Sequence, residues 1–159
     1  MLYGNYIGVV YVFEHKLDER ALAEAWRVLQ KQFPPLASRY DRRSQSLVAL
    51  EHFIDVEFRS EPSHFSDHVN DTDFDILRTF FVEEPDRKMA ESGQAPMSTL
   101  TLTDLTEGGA ILGFAVAHCV TDAGGFNRLA RQLADNYNAI RAGEDISGCL
   151  LYTSDAADD

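Results

Sequence analysis

Cysteine, basic charge and long apolar runs are all scarce in this chain of 159 residues. Its two cysteines, Cys119 and Cys149, supply neither a disulfide framework nor a Cys-based zinc pattern. A reducing compartment is the plain expectation. Lysine and arginine number 14 against 26 aspartates and glutamates, for a net charge of −12. Nucleic acids and anionic membrane surfaces attract basic patches, so neither is an expected partner. No apolar run is long enough to cross a bilayer. The opening stretch MLYGNYIGVVYVF has no basic region ahead of its apolar residues and does not read as a signal peptide. The default reading is a cytoplasmic protein.

What is present suits one globular domain. The chain is 45% hydrophobic and 25% charged, which is enough apolar material for a core. Tyr6 to Phe13 is rich in Val, Ile and aromatics and predicts a strand. Asp18 then offers an N-cap, with Glu19 in the first turn. Leu22, Ala25, Trp26, Leu29 and Phe33 recur at helical spacing, and Pro34 and Pro35 stop the helix. Leu36 to Tyr40 is expected to pair with Leu47 to Leu50 across a polar turn, and Phe53 to Phe58 reads as a further strand. Glu61 to Asp75 reads as loop or short helices, Ile76 to Val82 is ambiguous, and Glu83 to Pro96 reads as loop or a short helix. Ser98 to Leu105 alternates Thr and Leu, a strand. Ala110 to Ala117 is apolar at nearly every position, as in a strand buried on both faces. Phe126, Leu129, Ala130, Leu133, Tyr137 and Ile140 define a last helix ending near Gly143. The expected fold class is α/β, or α+β in two layers: a mixed β-sheet with helices packed on it.

The end of that apolar strand carries the chemistry. GFAVAHCVTDAGGF places His118 at a strand end, with Asp122 four residues on and Gly124 and Gly125 behind it. Sites on α/β sheets commonly form at strand ends. Histidine titrates close to neutral pH and can take and return a proton. The short Asp122 carboxylate is suited to hold the turn, through backbone N–H groups or an arginine, and so to fix the imidazole. The two glycines let backbone or ligand approach closely. Taken one at a time, these residues have blander uses: a solvated histidine, and an aspartate that forms a turn or helix cap.

The run AHCVTDAGGF resembles the H-x-x-x-D-G motif of the BAHD acyltransferases and their relatives, the chloramphenicol acetyltransferases and the condensation domains of peptide synthetases. The stretch LDERALAEAWRVLQKQFPPLASRY is similar to that superfamily's first helix and following strand. The resemblance covers most of residues 5–142. It implies a chloramphenicol acetyltransferase-like N-terminal half in which His118 is the general base. The base would deprotonate a small-molecule alcohol or amine that attacks the thioester of an acyl-CoA co-substrate, with no covalent enzyme intermediate and no permanently bound cofactor. Asp122 would be structural at the active site and pair with an arginine, for which Arg39 is the candidate. Gly124 and Gly125 would border the substrate. There are departures: Ala123 stands between the aspartate and the glycines, and Ala117 precedes His118 where condensation domains usually show a second histidine. The latter favours acyl-CoA over a carrier-bound donor. The superfamily's second half, with its Asp-Phe-Gly-like loop, is expected beyond this sequence.

The closing residues CLLYTSDAADD, Cys149 to Asp159, resemble the translation of a transposase adapter used in sequencing libraries. The resemblance implies an artefactual tail and a native sequence over residues 1–148 that continues past Gly148. The tail holds three aspartates and no lysine or arginine, so residues 1–148 carry −9. An ordinary disordered acidic terminus is the other reading.

Other candidates are weaker. His64 and His68, four apart with Asp67 and Asp71 nearby, would share a helical face but lack a third ligand at any known spacing. Asp71 to Asp75 mimics the start of a calcium loop, yet Ile76 replaces the required glycine and Val82 the bidentate glutamate. No metal is expected. Trp26 reads as core. Cys119 reads as a small buried residue turned away from His118 by strand alternation. His15 and His52 read as surface. Two further functional readings stand beside the acyl-CoA enzyme: a non-catalytic binding module on the same fold, and a condensation-type domain using carrier-bound substrates.

Overall fold

The computed structural model describes residues 6–70, Phe80 and residues 95–146. The calcium-like run from Asp71, most of the segments Ile76–Val82 and Glu83–Pro96, and the tail from Cys149 lie outside the described residues. The order is β1 (Tyr6–Phe13), α1 (Glu19–Gln32), β2 (Ser38–Asp41), β3 (Ser46–Ala49), β4 (Glu57–Glu61), β5 (Ser98–Leu105), β6 (Ala110–Ala117) and α2 (Ala123–Arg141). The main sheet has the order β1-β6-β5-β4, antiparallel except for the parallel β4–β5 pair. It is the mixed sheet that the sequence predicts. The hairpin β2–β3 forms a separate two-stranded sheet.

Side-chain alternation gives the main sheet two buried faces. Leu100, Leu102, Leu112, Phe114 and Val116 point to one side, where α1 and α2 cover them with Leu22, Trp26, Leu29, Phe126, Leu129 and Leu133. Trp26 meets Phe114 edge-on at 5.6 Å between ring centroids, and Phe114 tilts against Phe126 at 4.9 Å. Each such side chain, fully buried, contributes roughly 1.5–3 kcal/mol. On the other side Leu105 and Ile111 pack with Phe80, Val10, Val12 and Phe65. Strand β6 is therefore buried at all eight positions, as its unbroken apolar run requires.

Helix α1 starts as expected. The Asp18 carboxylate accepts the Ala21 N–H at 2.9 Å. The helix ends at Gln32, and Pro34–Ala37 forms a single 3-10 turn that buries Leu36. That turn delays β2 to Ser38, two residues beyond the expected start. The strand expected at Phe53 to Phe58 begins instead at Glu57. The reason is Gln30, 1% exposed, whose amide takes both backbone groups of Ile54: it accepts the N–H at 2.8 Å and donates to the carbonyl at 2.9 Å. A segment so held on α1 is not free to join the sheet ladder. Neighbouring residues of α2 tie it to both ends of α1: the Asp18 N–H donates to the Tyr137 hydroxyl at 3.0 Å and Asn136 donates to Gln32 at 2.9 Å.

Gly109 closes the tight turn into β6. It sits at φ +103°, and a Cβ there would overlap the Phe13 carbonyl and the Phe65 side chain.

Candidate active site

Strand β6 ends at Ala117, and the Val120 N–H donates back to the Ala117 carbonyl at 2.9 Å. This closes a four-residue turn with His118 and Cys119 at its two central positions, both exposed. The buried strand is a rigid mount, and the turn lifts the imidazole off its end. His118 is exposed and, among the described residues, makes no hydrogen bond.

The chain then turns directly into α2, which begins at Ala123, three residues before Phe126, the first residue of the apolar spacing. Asp122 is its N-cap: the carboxylate accepts the Gly125 N–H at 2.7 Å. Gly124 and Gly125 thus lie inside the first helical turn rather than in a loop ahead of it. A Cβ on Gly125 would collide with the Thr121 hydroxyl, while one on Gly124 would make only ordinary contact with Asp122. At 125 it is the Thr121 hydroxyl of the protein's own turn that occupies the space a Cβ would take.

Arg39 reaches the same end of the molecule without pairing with Asp122. The Met97 N–H donates to the Ser38 carbonyl at 2.8 Å, and the Ala117 N–H donates to the Met97 carbonyl at 2.7 Å. Two backbone bonds therefore tie β2 to the end of β6. Among the described residues no ion pair joins Arg39 and Asp122. The capping N–H takes the place the arginine was expected to fill.

Cys119 differs from expectation. It is exposed, because the strand has ended and alternation no longer applies. Its thiol leans on the Met97 sulfur at 3.7 Å. Partial burial pushes the thiol up, against a smaller lowering by a backbone hydrogen bond, so it stays protonated and weakly nucleophilic at neutral pH. Tyr6, which sequence reasoning missed, stands opposite Ala117 in the β1–β6 register and donates to the Pro96 carbonyl at 2.6 Å. Burial, then the neighbouring Cys119, pushes its hydroxyl up to about 12. It is a neutral donor fixed in place, not a second base. The antiparallel pairing alone brings it here, and no local signal in the sequence announces it.

The two histidines of the weaker metal candidate are used locally. Phe65–Asp67 is one 3-10 turn, not a helix, so spacing of four does not align them. His64 caps that turn, accepting the Ser66 N–H at 3.3 Å, and His68 bonds the Ser63 hydroxyl at 2.9 Å. Among the described residues no group of three or more His, Cys, Asp or Glu side chains is placed to hold a metal ion. Nor, among them, is any helix long and apolar enough to cross a membrane.

No family model and no curated protein matches the chain. Solved structures do. The first condensation domain of the calcium-dependent antibiotic synthetase, solved with a substrate analogue, is 19% identical at a TM-score of 0.63, over 92% of this chain and 35% of that one. The epimerization domain from the third module of tyrocidine synthetase B is 17% identical at 0.63, over 91% and 31%. The X-domain from teicoplanin biosynthesis, in its complex with OxyB, is 19% identical at 0.59, over 87% and 28%. The chain spans about a third of the length of these structures. At such identities the likeness is one of fold: this is the condensation-domain fold of the chloramphenicol acetyltransferase-like class.

Proposed function

We propose that the chain is the base-bearing part of a condensation-type acyl-transfer domain that works on carrier-bound acyl thioesters, with His118 as general base. The observation that carries this reading is the exposed imidazole mounted on a fully buried strand and followed at once by a capped helix. In the reaction, a free imidazole nitrogen takes the proton from an acceptor amine or hydroxyl. The acceptor forms a new bond to the thioester carbonyl carbon, the carbon–sulfur bond breaks, and the proton passes on to the departing thiol. General-base assistance of this kind is worth roughly 10²–10⁴-fold.

The choice of donor departs from the one that Ala117 suggests. Condensation and epimerization domains among the structural neighbours support a carrier-bound thioester over acyl-CoA. Asp122 serves the base by fixing the start of α2, and Tyr6 by fixing the Pro96–Met97 segment behind the turn. A second reading has its own observation: one neighbour is an X-domain in complex with OxyB, which supports a binding module on this fold.

The test is His118→Ala in the complete protein, assayed with carrier-bound and CoA-bound acyl thioesters. A loss of roughly a hundredfold or more, with the fold intact, supports the enzyme. The donor that turns over in the unaltered protein decides the substrate class. Undiminished function in His118→Ala would favour the binding module.

A further inference from the structure

Strands β1 and β5 both begin at the His118 end of the main sheet, and β6 ends there. At the opposite end the tight turn through Gly109 joins β5 to β6. At the His118 end no short turn joins them, and strand ends fray where only the ladder holds them. A base mounted there needs further ties. Ala117 is the point of attachment: its carbonyl accepts the Val120 N–H that closes the His118 turn, and its own N–H donates to the Met97 carbonyl. The place of Met97 therefore sets the place of the turn.

Ser98, the first residue of β5, holds Met97 from the next position in the chain. It is 0% exposed, and its hydroxyl donates at 2.8 Å to the carbonyl of Leu36, 62 residues away and itself 0% exposed. Leu36 belongs to the 3-10 turn that follows α1. A continuous path thus runs from that turn, through the Ser98 hydroxyl and the Met97 carbonyl, to Ala117 and the imidazole beyond it. A buried hydroxyl on β5 does not acquire such an acceptor automatically. Those of Thr101 and Thr103, on the same strand and also buried, have no hydrogen-bond partner.

We propose that Ser98 is a positioning residue for His118: its hydroxyl fixes the start of β5 on the turn after α1, and so fixes the strand end that carries the base. The proposal rests on the function proposed above, in which His118 is that base.

The test reads position and catalysis separately. Amide hydrogen exchange of the full chain and steady-state kinetics of the complete protein are measured for Ser98→Ala and for a matched control, Ser38→Ala. Ser38 is 3% exposed and its hydroxyl donates to the Pro35 carbonyl at 2.6 Å, so the control removes a comparable bond that lies off the path. Ser98→Ala should speed exchange of the Ala117 N–H roughly tenfold more than that of the Leu105 N–H, which donates to the Gly109 carbonyl at the turn end. It should lower kcat roughly tenfold or more with KM unchanged, because the base acts only on substrate already bound. Ser38→Ala should leave the exchange ratio and kcat as they are. Equal acceleration at Ala117 and Leu105 would show general loosening and overturn the proposal. Equal effects of the two variants, or an unchanged kcat with Ala117 loosened, would overturn it too. If Ser98→Ala does not fold, Ser98→Thr takes its place: with the hydroxyl kept, Ala117 protection and kcat should be retained, and a folded threonine variant that loses both would overturn the proposal. Undiminished function in His118→Ala sinks the catalytic role alone, since Ala117 exchange still shows whether Ser98 holds the turn.

Discussion

Asp122 separates two accounts of the motif, and its substitution has a magnitude that follows from geometry. In the structure its carboxylate caps α2 through the Gly125 N–H at 2.7 Å. Removing such a cap costs roughly 0.5–2 kcal/mol, and losing the charge at a helix N-terminus costs about 0.3–1 kcal/mol. Asp122→Ala loses both contributions. Asp122→Asn keeps an accepting oxygen in the same place and loses only the charge. For a domain of this size a urea slope of about 2 kcal/mol per molar is ordinary, so the alanine variant should lower the midpoint by about 0.5 M or more, and the asparagine variant by half that or less. Trp26 is the only tryptophan, 1% exposed against Phe114, and its fluorescence reports the loss of the core directly. Equal destabilisation by Ala and Asn would refute the capping account, because charge alone would then matter. A double-mutant cycle with Arg39→Ala locates that charge's partner. If the cap account holds, the two substitutions are additive within about 0.5 kcal/mol.

Gly125→Ala should destabilise by about 1–3 kcal/mol in the same assay, because its Cβ has no room beside the Thr121 hydroxyl. Adding Thr121→Ala should recover most of that loss, and failure to recover would place the requirement for glycine elsewhere. Tyr6 has a folded-state pKa raised to about 12 from 10.0, so the unfolded chain loses that proton first and the stability it contributes falls as pH rises between those values, by roughly 2–3 kcal/mol. Tyr6→Phe should remove that part of the alkaline slope, and an unchanged slope from pH 10 to pH 12 would show that other groups produce it.

Much of the architecture is legible in the sequence because its signals are local. The Asp18 cap, the apolar stripe from Leu22 to Leu29 and the Pro34–Pro35 stop are each decided within a few residues. The unbroken run of β6 likewise announces a strand covered on both faces. The errors came from long-range partners. Gln30 removed Ile54 from the sheet through a bond spanning 24 residues, which no window over Phe53 to Phe58 reveals. Tyr6 joined the site through strand register, and Cys119 became exposed because the strand stopped one residue before His118. The histidine, aspartate and glycines were visible as a group, yet their division of labour was not. A capping carboxylate and one paired with arginine look alike in sequence, and the direction of the Gly125 N–H distinguishes them.

That direction also limits what this end of the molecule can do in catalysis. A helix N-terminus beside a base is a natural place to stabilise a developing oxyanion, since its N–H groups are preorganised donors. Here the Gly125 N–H is taken by the Asp122 carboxylate and the Phe126 N–H by the Asp122 carbonyl at 2.8 Å. The carboxylate also brings negative charge to the point where an oxyanion would need positive charge. The Gly125 and Phe126 N–H groups therefore mount the turn and are not open to an oxyanion. His118 stands exposed to water, where electrostatic stabilisation is weakest. Acyl transfer needs both proton removal and a donor for the tetrahedral intermediate, the latter worth about 2.7–4 kcal/mol per hydrogen bond. Under the function proposed above, His118 would serve the first, and the second falls to groups that approach it from its open side. Substitutions around Asp122 should accordingly change activity through stability and turn position, not through direct stabilisation of the transition state.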